Sequence, residues 1–186
     1  MRPPRRFSQV IAEGDGISVI ADVDDAEAAR RAEAEGAAAL AVRGELGSVR
    51  SASGLPILWR GPGPLEDARR GDADAYVLEV DGGELEQAHS RAEDWGIDVV
   101  VAVDDEEGIE RALERVDPEI FLVAVRERDE AALEHALDLL AEVPAGNLAI
   151  ADVERTRLED VLELERAGFD GVVVPVGDLP ELERER

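Results

Sequence analysis

The residues in this sequence that could do chemistry are carboxylates and guanidinium groups, and they recur at one kind of place. Ile17-Ser18-Val19-Ile20-Ala21-Asp22-Val23-Asp24 is a short apolar run that ends in two acids and passes, with almost no loop, into a helical pattern at Asp25. Comparable runs deliver Arg43, Arg60 and Arg126, and the acids Asp81, Asp104 and Asp152, to the equivalent position. Carboxylates gathered from several strand ends suit acid–base work, or a hard, oxygen-preferring cation such as Mg²⁺ or Ca²⁺. Three arginines in the same place suit an anion. The plainer alternative is that Asp24 and Asp104 cap the helices that follow them while the other acids pair with the arginines or face water. That alternative is preferred to a metal site, and no metal or cofactor is expected.

What is missing narrows the chemistry further. All 20 basic residues are arginine, and neither lysine nor cysteine occurs. Lysine Schiff bases, lysine general acids, thiolate nucleophiles, disulfides and thiolate metal sites are thereby excluded. His89 and His135 fall inside helical patterns, where packing or surface roles are expected. Asp81-Gly82-Gly83 has no phosphate-loop pattern around its glycines and reads as a plain turn. The 45 acidic residues leave a formal charge of −25, which repels phosphate backbones, so no nucleic-acid partner is expected. An anionic small substrate needs a local positive pocket set against that field. The acidic, lysine-free composition fits a GC-rich genome and also a high-salt host, where screening mutes self-repulsion; it fits heat adaptation less well. No apolar run approaches the length of a membrane span and none follows the N-terminal arginines as a signal peptide would, so a cytoplasmic protein without a membrane partner is expected.

The elements that must position these side chains are legible as alternation. Strand-like runs cover 17–24, 38–42, 56–59, 75–80, 98–103, 120–125, 148–152 and 171–176. Most are continuously apolar, as expected for strands covered on both faces. Helical patterns cover 7–13, 25–35, 84–94, 106–116, 130–140 and 157–167, with a weaker one over 64–70. Gly36, Gly71, Gly96 and Gly168 each stand where a left-handed residue ends a helix. Thr156 with Glu159 has the pattern of a capping box, and Asp24/Glu27 and Asp104/Glu107 are acidic relatives of it. Fragments such as Asp72-Ala73-Asp74-Ala75 and Phe169-Asp170-Gly171-Val172 form a weak repeat of one strand–helix unit. Eight such units predict a small (β/α)8 TIM barrel with minimal βα loops, one domain over 1–186 with an N-terminal arm or short helix over 1–16. Gaps in the helical ring are expected at 46–52, where Gly47, Ser48, Val49 and Ser51 make a poor helix, and at 179–186 beside Pro180. Uncovered strand faces there would favour a homodimer. Trp59 is expected to fill a barrel end or an interface, and Trp95 to pack beneath the helix that it ends.

Phe7-Ser8 and Gly16-Ile17-Ser18-Val19-Ile20-Ala21-Asp22 resemble the opening of the indole-3-glycerol phosphate synthase family, where a Phe-containing turn leads into Ser-Val-Ile-Ala-Glu-x-Lys. Gly36-Ala37-Ala38-Ala39-Leu40, Leu55-Pro56-Ile57-Leu58, Gly71-Asp72-Ala73-Asp74-Ala75, Gly96-Ile97-Asp98-Val99-Val100-Val101 and Ala167-Gly168-Phe169-Asp170-Gly171-Val172 resemble later units in the same order. The resemblance implies a TIM barrel and a carbon–carbon lyase. The reaction would be ring-closing decarboxylation of 1-(2-carboxyphenylamino)-1-deoxyribulose 5-phosphate in tryptophan biosynthesis, with a phosphorylated small-molecule substrate and no cofactor. By position, the family's catalytic residues fall on Asp22 and Arg60, and its substrate-binding residues on Arg126, Asp152 and Gly177.

The departures bear on activity. Asp24 stands at the strand 1 lysine, Ala102 at the strand 5 glutamate, Ala124 at the strand 6 asparagine and Pro175-Val176-Gly177 at the strand 8 Gly-Glu-Ser, and the long loop after strand 1 is deleted. Arginine keeps the charge of Lys, but its pKa is at least about 2 units higher, so it gives up a proton less readily by roughly 3 kcal/mol. The expectation is a synthase-like barrel with weak or no turnover. The alternatives are a non-catalytic, self-associating barrel and an anion- or metal-binding module that uses the strand-end residues.

Overall fold

The computed structural model describes residues 6–125, 131–153 and 157–179. Eight parallel strands close on themselves in chain order: β1 (Ser18–Val23), β2 (Ala39–Val42), β3 (Ile57–Trp59), β4 (Ala75–Glu79), β5 (Asp98–Val103), β6 (Ile120–Val125), β7 (Leu148–Val153) and β8 (Gly171–Pro175). Ser18 lies beside Gly171 and Asp22 beside Pro175, so β8 pairs back onto β1 and no edge is left open. Helix α1 (Arg6–Ala12) precedes β1. Between successive strands run α2 (Ala26–Ala34), α3 (Leu46–Ala52), α4 (Leu65–Arg70), α5 (Leu85–Trp95), α6 (Glu106–Arg115), α7 (Ala131–Leu140) and α8 (Leu158–Ala167). The fold is the expected (β/α)8 barrel, and its βα links are as short as the sequence indicates.

Two apolar layers hold it together. Alternate strand residues such as Val19, Val101, Phe121 and Val172 turn outward to the helices, while Ile20, Leu58, Leu122 and Ile150 turn inward and fill the lumen. Gly171 belongs to that inner packing. A Cβ there would stand 3.3 Å from Ile150 Cγ1 and 3.4 Å from Ile20 Cδ1, so its absence lets the two isoleucines share the space. The lower end of the lumen is closed by α1. Phe7 and Ile11 are fully buried against the inner layer, and the Ser8 N–H donates to Asp98 Oδ2 at 2.8 Å.

The repeated Asp fragments have a common task. Asp74 Oδ2 accepts from the Ile57 N–H at 2.9 Å and Asp170 Oδ2 accepts from the Ala149 N–H at 2.8 Å. Each carboxylate thus satisfies a backbone donor at the start of the preceding strand. Arg50 completes the first of these sites with an ion pair to Asp74 at 2.6 Å.

Several local expectations are corrected. The caps of α2 and α6 are Asp25 and Asp105, each one residue later than Asp24 and Asp104. Asp25 Oδ1 accepts from the Glu27 and Ala28 N–H groups at 2.9 and 2.8 Å, and Asp105 Oδ1 from Gly108 at 2.6 Å. The capping residue must be the extended one immediately before the first helical residue, and Asp24 and Asp104 are spent on leaving the strand. Gly71 has φ −85°, and the left-handed residue is the next one, Asp72 at φ 57°; Asp is among the few side chains that tolerate this region. Gly36, Gly96 and Gly168 are left-handed as expected.

Thr156 lies outside the described residues; at the start of α8 the Arg157 N–H donates to Asp160 Oδ2 at 2.7 Å. The expected gap at 46–52 is filled by α3. Glu45 caps it through Gly47 and Ser48, and Leu46 and Val49 are buried, which outweighs the poor propensity of its Gly and Ser residues. That ground for a homodimer is gone, and 180–186 lies outside the described residues. Trp59, the last residue of β3, turns away from the lumen instead of filling it. It faces the helical layer, stacked on Tyr76 at 5.6 Å between ring centroids. Trp95 packs toward α4, with the Arg69 guanidinium 4.4 Å from its ring centroid.

Candidate functional site

In a barrel of this kind the strand ends that feed the βα links form one face, and ligand sites are built there. That face holds a cavity of about 650 Å³, within the range of small-molecule sites. Its polar wall comes from Asp22 of β1, Arg43 just after β2, Arg60 just after β3, Glu79 of β4 and Asp152 of β7. The rest of the lining is apolar, among it Ala102 of β5, Leu122 and Ala124 of β6, and Val173 and Pro175 of β8.

Backbone pairing places the central cation. The Arg60 N–H donates to Val42 O at 2.7 Å, extending the β2–β3 ladder by one residue and turning the side chain inward. Only 10% of that side chain is exposed, and its Nη2 donates to Asp152 Oδ2 in a hydrogen-bonded ion pair. The loop after Arg60 is pinned from outside. Tyr76 Oη donates to Gly63 O at 2.9 Å, Trp59 Nε1 donates to Gly44 O at 3.3 Å, and a Cβ on Gly61 would fall 2.4 Å from the Trp59 ring. The guanidinium is thus held by a stiff corner rather than a floppy loop.

Asp22 is the second charged centre. Its Oδ2 lies 3.7 Å from Arg43 Nε, a contact open to water on the Arg43 side. Burial pushes its carboxyl above the ordinary value; the positive charges of Arg60 and Arg43 oppose the rise, and Asp152 and Asp24 add to it. Asp22 Oδ1 and Arg60 Nη1 are enclosed, and neither has a hydrogen-bond partner among the described residues. The site therefore combines an incompletely engaged guanidinium with a carboxyl that holds its proton more tightly than usual. Such a pair can bind an acidic group and donate or accept a proton beside it.

Of the residues singled out in the sequence, Asp22, Arg60 and Asp152 converge on this cavity. Gly177 does not line it: it lies in the single 3-10 turn Val176–Asp178 after β8, with open space where a Cβ would be. Arg126 lies outside the described residues, directly after Val125, which does line the cavity. Asp24 and Asp104 are exposed, and Asp81 pairs with Arg111 of α6 at 3.2 Å. His89 faces a small acidic cleft beside Glu93 on α5, and His135 lies on α7. Glu79 was missed by the sequence reading, although the inward alternation Ala75, Val77, Glu79 carries it to the mouth. Among the described residues no group of three or more His, Asp or Glu side chains could hold a metal ion, and no helix is long and apolar enough to cross a membrane.

No family model matches the sequence. Among solved structures the chain is similar to N-acetylmannosamine-6-phosphate 2-epimerase from Clostridium perfringens, with a TM-score of 0.71 and 14% identity over 90% of each chain. At that identity the likeness is one of fold, and with the closed ring of parallel strands it identifies the chain as a TIM barrel.

Proposed function

We propose that this chain is a shortened, divergent relative of the indole-3-glycerol phosphate synthases whose barrel mouth binds a small phosphorylated ligand and whose ring-closing turnover is weak or lost. The observation that carries the reading is Arg60: a nine-tenths buried guanidinium held at the mouth, with Nη1 not engaged by any described residue. Arg60 is a buried cation on a chain of charge −25, and a phosphate is the kind of group that a guanidinium suits. The family that the sequence resembles acts on a phosphate ester, and the structural neighbour is named for a sugar phosphate. Both support a phosphorylated ligand without choosing which.

The loss of turnover follows from the residue types. Ring closure by decarboxylation and dehydration needs groups that give and take protons, and arginine is by its chemistry a poor substitute for lysine in that role. Among the described residues Asp22 is the carboxyl that burial raises toward acid–base use, and Ala102 supplies no second group from β5. Each lost acid–base group typically costs about 10²–10⁴-fold, and such losses do not add simply.

Two measurements test this together. Calorimetric titration with inorganic phosphate should show saturable binding that Arg60→Met abolishes. A sensitive fluorescence assay for the indole product should show turnover near background with the carboxyphenylamino-deoxyribulose phosphate. Rapid product formation would overturn the assignment of lost turnover, and failure of phosphate to bind would overturn the assignment of the ligand.

A further inference from the structure

Resting on the reading of the mouth as a phosphorylated-ligand site, we infer that Asp152 decides which anions the mouth accepts. Its carboxylate already occupies Arg60 as an internal counter-anion. A ligand must therefore displace a carboxylate to be bound, which admits phosphate dianions and phosphate monoesters and turns away monocarboxylates.

The geometry requires the competition. Arg60 follows β3 and Asp152 belongs to β7, strands four places apart in the ring, so their ion pair crosses the mouth between two residues that both line the cavity. Asp152 uses one oxygen on Nη2. The remaining terminal nitrogen, Nη1, is enclosed, so an incoming anion reaches the full fork of the guanidinium only when the pair with Asp152 opens. Among the described residues flanking it, the released carboxylate has little to go to. Its neighbours across the strand pairing are Ala124 and Val173, which offer no side-chain donor.

The charge balance then sorts the ligands. Asp22, Glu79 and Asp152 face Arg43 and Arg60 around the cavity, so the described lining already has more acid than base. A monocarboxylate that replaces Asp152 exchanges like for like on Arg60, adds one more negative charge to the mouth, and loses translational freedom. A phosphate dianion brings about twice the charge and three acceptor oxygens, enough to engage both terminal nitrogens of Arg60 and to draw in the largely exposed Arg43. Asp152 thereby works by exclusion as much as the arginine works by attraction.

The test is the isosteric variant Asp152→Asn, titrated with inorganic phosphate and with acetate at mildly alkaline pH and low ionic strength, with unfolding curves recorded alongside. Wild type should bind phosphate and give no saturable heat with acetate. Asp152→Asn should bind phosphate about tenfold tighter or more and acquire measurable acetate binding. Arg60→Met, the control for the cation, should bind neither. If Asp152→Asn is folded and binds phosphate no better than wild type, or if wild type binds acetate as tightly as phosphate, Asp152 is not the selector, while the phosphate site itself stands. If neither wild type nor Asp152→Asn binds phosphate, the ligand assignment fails and the selector role fails with it.

Discussion

Arg60 and Asp152 sit at the ends of strands four places apart in a ring of eight, and the ion pair between them crosses the barrel mouth. A pair so placed ties β3 to β7 without any backbone hydrogen bond between them. It also sets Arg60, the more enclosed of the two described arginines there, against the cavity. Stability and ligand recognition therefore draw on the same two side chains, and substitutions can separate the two roles.

Breaking the pair from one side should be costly. Arg60→Met leaves Asp152 without its partner, and because the site is open to water on one side the loss should be about 1–3 kcal/mol, less than for a fully enclosed pair. The double variant Arg60→Met/Asp152→Leu should recover most of that loss, since an apolar contact replaces both desolvated charges. Urea unfolding of wild type, Arg60→Met, Asp152→Leu and the double variant gives the coupling directly. A double variant no more stable than Arg60→Met would mean that the pair is not the source of the cost.

Asp22 gives a stability change with a definite sign in pH. Its carboxyl is raised above 3.8 in the folded chain, burial being the main cause. The ionised form is therefore disfavoured by folding, and above the raised value Asp22 subtracts from stability. Below its ordinary value it contributes nothing, because it is protonated in both states. Asp22→Asn should raise the melting temperature at neutral pH, and the gain should shrink as pH falls through the raised value toward 3.8. A gain that grew on acidification would reverse the assigned direction.

The loop corner behind Arg60 and the turn after β8 make a contrasting pair of glycines. Gly61→Ala pushes a methyl group into the Trp59 ring and should cost about 1–3 kcal/mol. Gly177→Ala enters open space and should change stability by no more than about 0.5 kcal/mol. Thermal unfolding of the two variants side by side checks both, and equal losses would show that the Trp59 contact is not what holds the corner.

The barrel was legible because its signal is repeated: eight apolar runs, each followed by a helical pattern, leave few topologies. The inward positions of Asp22, Arg60 and Asp152 were legible too, since each falls at a strand end in a parallel array. What the sequence could not carry is register to within one residue. Asp24-Asp25 and Asp104-Asp105 each offer two adjacent acids, and only the geometry of leaving the strand selects the second as the cap. Asp25→Ala should therefore cost about 1 kcal/mol and Asp24→Ala close to nothing, measured by chemical unfolding. Helix α3 was hidden for a different reason: its buried Leu46 and Val49 outweigh a local preference that reads as loop. The cross-barrel partnership of Arg60 with Asp152 spans 92 residues of chain, and no local pattern encodes it.

The most direct measurement is NMR of the Arg60 side chain during a titration with inorganic phosphate, its Nε–H resonance assigned by comparison with Arg60→Met. A saturable displacement of that resonance, at the same concentrations that produce calorimetric heat, is the predicted result. An Arg60 signal that stays fixed while phosphate is added would contradict a ligand site at the barrel mouth.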